Sequence, residues 1–205
     1  MAIQNNNWNL TFDKILNREE VKKLRIWVGK NRKNKTSQKD WFVVECLLNT
    51  GLRVAELADL KCGDIIFRNE LSCIYVRHGK GDKEREVMIS RDFQKEAKEY
   101  LDWKEINGEQ ISSEDILLYS PKSKSKYSTR ALQLSFKRCL KNTGISLKHS
   151  IHHLRHTYAS LLLASSNNNL PLVQKQLGHS SVVTTQVYTK VFKQEAKHAV
   201  ENLFK

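Results

Sequence analysis

Tyr188 lies nine residues after His179 in the run Leu177-Gly178-His179-Ser180-Ser181-Val182-Val183-Thr184-Thr185-Gln186-Val187-Tyr188, so one short segment holds a phenol and an imidazole. Upstream, His152-His153-Leu154-Arg155-His156 sets an arginine three residues after a histidine, on one face of a helix. Further upstream, Glu56 follows Arg53 by three residues, and Lys80 sits between Gly79 and Gly81. Such side chains suit the breaking of a phosphodiester. That reaction needs charge offset on the non-bridging oxygens, a nucleophile made available, and a proton delivered to the leaving alkoxide. Arg53 and Arg155 meet the first need, because a guanidinium stays charged and matches phosphate bidentately. Tyr188 is the candidate nucleophile; its phenol, with a reference pKa of about 10, needs cations and a base nearby. Lys80, on a tip flanked by glycines, is the candidate carrier of an ammonium to the leaving oxygen, with Lys83 as its rival. His152 falls in the first turn after Ser150, where free backbone N–H groups attract phosphate.

Each of these residues has an ordinary alternative. Arg53 and Glu56 form a surface ion pair as readily as a phosphate clamp. Three histidines in five residues suggest a metal site, but spacings of one and three suit a helical site poorly, and no carboxylate joins them. No carboxylate cluster offers the cation site of a metal-dependent nuclease, so neither a metal nor another cofactor is expected. His153 points away from the His152–Arg155 face; it and His156 read as structural. Tyr158 reads as core, and Tyr75, Tyr100, Tyr119 and Tyr127 have no polar cluster near them in sequence.

The elements that must position these residues follow from composition and periodicity. The chain has 205 residues, 40% of them hydrophobic, and only two prolines, enough for one substantial core. A net charge of +13 points to a polyanionic partner, with nucleic acid the first candidate. No apolar run is long enough to span a membrane. Cys46, Cys62, Cys73 and Cys139 are scattered and read as buried free thiols. Helical spacing predicts helices over 18–33, with a basic face, and over 37–50, where Trp41, Val44, Leu47 and Leu48 recur and Gly51 ends the helix. A short helix from Arg53 to Leu60 follows. Residues 64–67, 71–77 and 84–89 are short and β-branched, with a turn at 79–82, and predict a three-stranded antiparallel sheet. Helices are expected at 92–106, 129–142, from Ser150 to about Ala164, at 171–177, around Tyr188 and over 193–204. Residues 121–126 read as a basic polar loop. The fold class is mainly α with a small antiparallel β-sheet, an α+β domain over 11–205 after a polar tail at 1–10.

Thr50-Gly51-Leu52-Arg53-Val54-Ala55-Glu56-Leu57, Gly79-Lys80-Gly81-Asp82-Lys83, His152-x-Leu154-Arg155-His156-Thr157, Leu177-Gly178-His179-Ser180 and Tyr188, in that order, resemble the tyrosine recombinase (phage integrase) family from about Leu10 to the end. The resemblance implies that the chain is a site-specific DNA recombinase that cuts and rejoins strands without metal or ATP. It implies that Arg53 and Arg155 clamp the scissile phosphate and that Lys80 is the general acid to the leaving 5′-oxygen. It gives His152 proton transfer with the nucleophile and His179 a hydrogen bond to a phosphate oxygen. Tyr188 would attack to form a 3′-phosphotyrosine link, with Glu56 supporting Arg53 and His152. Basic surface at 18–39 and 122–126 is expected on DNA backbone phosphates. The stripe Phe192, Ala196, Val200, Leu203 is expected to dock on a neighbouring subunit in a tetramer on double-stranded DNA, or else on its own domain. A cytoplasmic, nucleoid-associated location follows. Full-length members usually carry an N-terminal helical DNA-clamping domain, which is expected to be absent; the chain is then a catalytic fragment or a naturally short member like the fimbrial phase-switch recombinases. Two other functions stand beside this one. A type IB topoisomerase resembles the family but tends to carry lysine where this chain has His152. A non-enzymatic DNA-binding regulator descended from a recombinase would be expected to have lost catalytic residues.

Overall fold

In the computed structural model, residues 14–77 and 84–178 are described. Asn17 opens α1 (Arg18–Lys30): its side chain accepts from the Glu20 backbone at 2.9 Å, and the Glu20 carboxylate accepts from the Asn17 backbone at 2.9 Å. Asn34 caps α2 (Lys35–Thr50) in the same way with Ser37. Helix α2 is buried on almost every side, through Trp41, Phe42, Val43, Val44, Cys46, Leu47 and Leu48, and it packs against α1, α4, α5 and α6. Gly51 stops it in the left-handed conformation at φ +61°. Helix α3 (Val54–Asp59) starts at once, with Arg53 at its cap position.

The three expected strands form. β1 (Ile65–Ile66), β2 (Cys73–Val76) and β3 (Arg85–Met88) make an antiparallel sheet in the order β1-β2-β3, with Ile65 opposite Ile74 and Ile74 opposite Val87. Helix α4 (Arg91–Ile106) follows, capped by Ser90. Tyr100 stacks on Phe42 at 3.9 Å between ring centroids, and this pair lies at the centre of the core with Phe93, Leu117, Leu118 and Phe136. Helix α5 (Thr129–Thr143) is capped by Ser128 and ends at Gly144. Helix α6 (Ile151–Ser165) and α7 (Leu170–Leu177) share a smaller apolar cluster of Tyr158, Ala159, Leu163, Val173 and Leu177, and α7 also packs on β3. All four cysteines are buried free thiols, with the Cys46 and Cys139 thiols pushed up to about 12 chiefly by burial.

Three expectations are corrected. The 121–126 loop is flanked by a two-stranded hairpin, β4 (Tyr119–Ser120) with β5 (Ser125–Lys126), because two-residue strands leave no alternation to read. The basic surface expected at 18–39 does not extend to Lys39. Its ammonium is buried, donating to Glu109 at 2.6 Å and to the Tyr119 carbonyl at 2.5 Å, while the buried Lys104 reaches the other Glu109 oxygen at 3.0 Å. Desolvation lowers the Lys39 pKa, opposed by Glu109. Ser150 stands at the cap position of α6, but its side chain makes no capping bond. Among the described residues, no helix is long and apolar enough to cross a membrane. The expected helices around Tyr188 and over 193–204 lie outside the described residues.

Candidate active site

Glu56 of α3 is buried and meets Arg53 at the start of its own helix and Arg85 at the start of β3, while Arg85 and Arg155 of α6 both reach the end of α7. The Glu56 carboxylate accepts from the Arg53 backbone N–H at 2.8 Å and from Arg53 Nη1 at 2.6 Å, so one side chain both caps α3 and orients the guanidinium. Arg53 keeps 26% of its side chain exposed, so a partly open guanidinium faces solvent from a fixed base. The second partner of Glu56 is Arg85, which embraces both oxygens through Nη1 at 2.9 Å and Nη2 at 2.8 Å. Burial would raise the Glu56 carboxyl, but the bonds and charges of Arg85 and Arg53 hold it at about 2. Both Glu56 oxygens thus accept from the two arginines, and Arg85 joins Arg53 as a partner of this carboxylate.

Arg155 is 7% exposed. Its Nη1 donates to the Gly51 carbonyl at 2.5 Å and its Nη2 to the Leu177 carbonyl at 2.8 Å. These bonds tie α6 to the turn that precedes Arg53 and to the end of α7, so Arg53 and Arg155 are brought to one place from residues about a hundred positions apart in the chain. Gly51 is required there twice over. Its φ is positive, and a Cβ would stand 2.3 Å from Tyr158 Cδ1 and 2.9 Å from Leu177 Cδ2.

His152 occupies the exposed first turn of α6, one turn before Arg155. Partial desolvation and the Arg155 charge hold its pKa below the ordinary value, which keeps the imidazole neutral and able to accept a proton near pH 7. His153 turns away from it: its Nδ1 lies 3.1 Å from Nδ1 of the buried His149, whose Nε2 is 3.5 Å from Glu20. His156 is pulled down to about 4, chiefly by desolvation and then by its histidine and arginine neighbours. Tyr158 is buried, and burial pushes its phenol up to about 12, so it is a core residue and an unsuitable nucleophile. Among the described residues, no group of three or more His, Cys, Asp or Glu side chains is arranged to hold a metal ion. Lys80, His179 and Tyr188 lie outside the described residues.

Sequence reasoning missed Arg85. In Glu84-Arg85-Glu86 it has the pattern of a solvated strand face, and its partner Glu56 lies 29 residues earlier. The one available signal was the spare capacity of a carboxylate set beside a single arginine. A groove of 960 Å³ lined chiefly by α1 and α6 holds none of Arg53, Glu56, Arg85, His152 and Arg155.

The sequence profile of the Phage integrase family matches residues 14–195, a stretch that includes His179 and Tyr188. Tyrosine recombinase XerA of Thermococcus kodakarensis is 36% identical over 188 residues, which cover 92% of this chain and 62% of the relative. Tyrosine recombinase XerC of Caldanaerobacter subterraneus subsp. tengcongensis is 34% identical over 164 residues, covering 80% and 44% respectively. The chain therefore spans less than two-thirds of these relatives. Among solved structures, the XerH site-specific recombinase bound to palindromic difH substrate in a post-cleavage complex matches with a TM-score of 0.77 at 28% identity, covering 95% of this chain and 54% of that one. The XerA recombinase crystal structure matches with a TM-score of 0.69 at 26% identity, covering 90% and 65%.

Proposed function

The chain belongs to the phage integrase family of tyrosine recombinases, and from that premise we propose that residues 11–205 form a catalytic domain that cleaves and rejoins DNA strands at specific sites through a 3′-phosphotyrosine intermediate. The observation that carries this reading is the convergence of Arg53 and Arg155 around the Gly51 turn, each oriented by protein acceptors before any phosphate arrives. Preorganised cations of this kind offset charge where it develops, without reorganising during the reaction.

In this reading Arg53 and Arg155 hold the scissile phosphate, and Tyr188 attacks in line. His152, kept neutral, takes the phenolic proton. Lys80 protonates the leaving 5′-oxygen, and His179 donates to a non-bridging oxygen. The phosphodiester energy stays in the tyrosyl ester, so rejoining needs neither ATP nor a metal. Double-stranded DNA is the substrate, consistent with the net charge of +13 and with the difH complexes of XerH. The exposed Lys22, Lys23, Lys122 and Lys124 suit backbone phosphates, which position without specifying. The apolar stripe Phe192, Ala196, Val200, Leu203 suits docking on the next subunit of a tetramer, with the protein acting in the cytoplasm on nucleoid DNA.

The test uses nicked duplexes tiled across the DNA flanking the gene, incubated with protein in EDTA and without ATP. A nick beside the cleavage point lets the short product diffuse away and traps the protein on DNA. Site-dependent covalent adducts that Arg53→Ala or Arg155→Ala abolishes support the reading. Sequence-independent relaxation of supercoiled plasmid without strand exchange between sites would replace it with a topoisomerase, and specific binding with no adduct on any duplex would replace it with a regulator.

A further inference from the structure

We propose that Arg85 is a positioning residue for strand cleavage, a single guanidinium that sets Glu56, and through it Arg53, while keying the end of α7 to the start of β3. The proposal rests on the strand-cleavage reading given above.

Arg85 is 11% exposed on its side chain, and all three guanidinium nitrogens are engaged. Nη1 and Nη2 take the two Glu56 oxygens, and Nε donates to the Gln176 carbonyl at 3.3 Å. Two further bonds reinforce the same junction. The Met88 backbone N–H, on the same strand, donates to Gln176 Oε1 at 3.0 Å, and Arg155 Nη2 donates to the Leu177 carbonyl. The last carbonyls of α7, at the negative end of its dipole, are thus taken in succession by Arg85 and Arg155. The chain then turns at Gly178, where φ is +65° and a Cβ would stand 2.7 Å from Arg85 Cδ and 2.9 Å from its Nε. Gly178 is glycine both for its backbone conformation and because the Arg85 side chain lies across it. The next residue in the sequence is His179, and Lys80 lies five residues before Arg85.

Arginine is required for geometric reasons. A carboxylate that orients Arg53 through Oε1 must itself be fixed, or the clamp swings with it. A planar fork fixes both oxygens at once, whereas a lysine ammonium fixes one point. Among the described residues, the charged groups facing Glu56 are Arg53 from the start of its own helix and Arg85 from β3, and Arg85 is the larger influence on its ionisation. Removing Arg85 takes away the stronger of the two cations on this buried carboxylate, so Glu56 takes up a proton at higher pH and loosens its hold on Arg53 as it does.

The experiment measures the rate of adduct formation on the nicked duplexes, from pH 5 to 9, for wild type, Arg85→Ala, Arg85→Lys, Glu56→Gln and the Arg85→Ala/Glu56→Gln double variant. Near-UV circular dichroism checks folding. Arg85→Ala is expected to slow cleavage about 10²-fold, the scale of a small misplacement of a catalytic group. Below pH 6.5 it should also lose rate more steeply than the wild type, and this extra loss should disappear in the double variant. The double variant should be no slower than the slower single one. Arg85→Lys, which keeps the charge and the methylenes over Gly178, should recover part of the loss. It is also the deciding variant if Arg85→Ala melts. Arg85→Lys at the wild-type rate and profile overturns the role of the fork. A loss uniform across pH and additive with Glu56→Gln overturns positioning in favour of a structural part. If wild type forms no adduct, the strand-cleavage reading falls and takes this proposal with it, a result distinct from an active wild type with indifferent Arg85 variants.

Discussion

Gly51→Ala is the substitution in which stability and chemistry are most tightly joined. The new methyl has to be accommodated at φ +61°, which costs an L-residue about 1–2 kcal/mol. It also has to share space with the Tyr158 ring at 2.3 Å and Leu177 at 2.9 Å, both in packed apolar surroundings, an overpacking that costs about 1–3 kcal/mol. The sum is about 2–5 kcal/mol, and at the middle of that range a chain of this size melts roughly 7–14 °C lower. The same displacement pushes on two acceptors of Arg155, because the Gly51 and Leu177 carbonyls belong to the residues that must move. Adduct formation at a temperature where the variant is fully folded should therefore fall about 10²-fold. Urea denaturation and adduct kinetics read the two effects separately. A variant within about 0.5 kcal/mol of wild type, the ordinary scatter of harmless substitutions, would show that the turn relaxes easily. Loss of stability with an unchanged cleavage rate would show that Arg155 is not oriented through this turn.

Other outcomes follow from the same geometry. Glu56 has a folded pKa of about 2 against an ordinary 4.5, a difference worth about 3 kcal/mol of stability. A depressed carboxylate pKa stabilises above the unfolded value and is lost as pH falls through the folded one, so melting from pH 6 to pH 2 should be less steep in Glu56→Gln; an equal slope would refute it. His152, lowered from 6.5, should make adduct formation level above neutrality and falling only below pH 6.5, with His152→Gln removing that limb; a limb centred above pH 7 would exclude His152 as the base. Glu45 is raised to about 7, chiefly by burial and then by Glu96, so its contribution works against stability as pH rises through 4.5 to 7. Glu45→Gln should therefore flatten the pH dependence of melting in that window, and an unchanged profile would contradict it. Lys122→Ala with Lys124→Ala should weaken binding to every duplex alike and lower the salt slope by roughly one for each phosphate no longer neutralised, and a change in sequence preference would count against a backbone role.

The parts of this fold legible in the sequence are those whose cause is local. The Trp41–Leu48 period and the Gly51 stop define α2, and β-branched runs around a glycine turn define the sheet. The Arg53–Glu56 pair is visible because three residues separate them on one helix. What escaped depends on partners far away in the chain. Lys39 looks like one more basic surface residue until Glu109, 70 positions on, meets it in the interior. Arg85 looks solvated until the β3 strand brings it onto Glu56 and lays it over Gly178. A lysine or arginine carries no mark in sequence of whether its charge will be paired inside, since that depends on where a distant carboxylate folds. That His153 turns off the His152–Arg155 face was legible from helical spacing, but its partner His149, which lies before the helix, was not.

The central claim is that Tyr188 becomes esterified to a DNA 3′-phosphate held by Arg53 and Arg155. The most direct measurement is mass spectrometry of the trapped adduct after nuclease and trypsin digestion. The tryptic peptide spanning residues 176–190 contains Tyr188 as its one tyrosine. That peptide should carry a 3′-linked nucleotide on Tyr188, and Tyr188→Phe should yield no adduct. A nucleotide on any other residue, or an adduct that persists in Tyr188→Phe, would contradict the account.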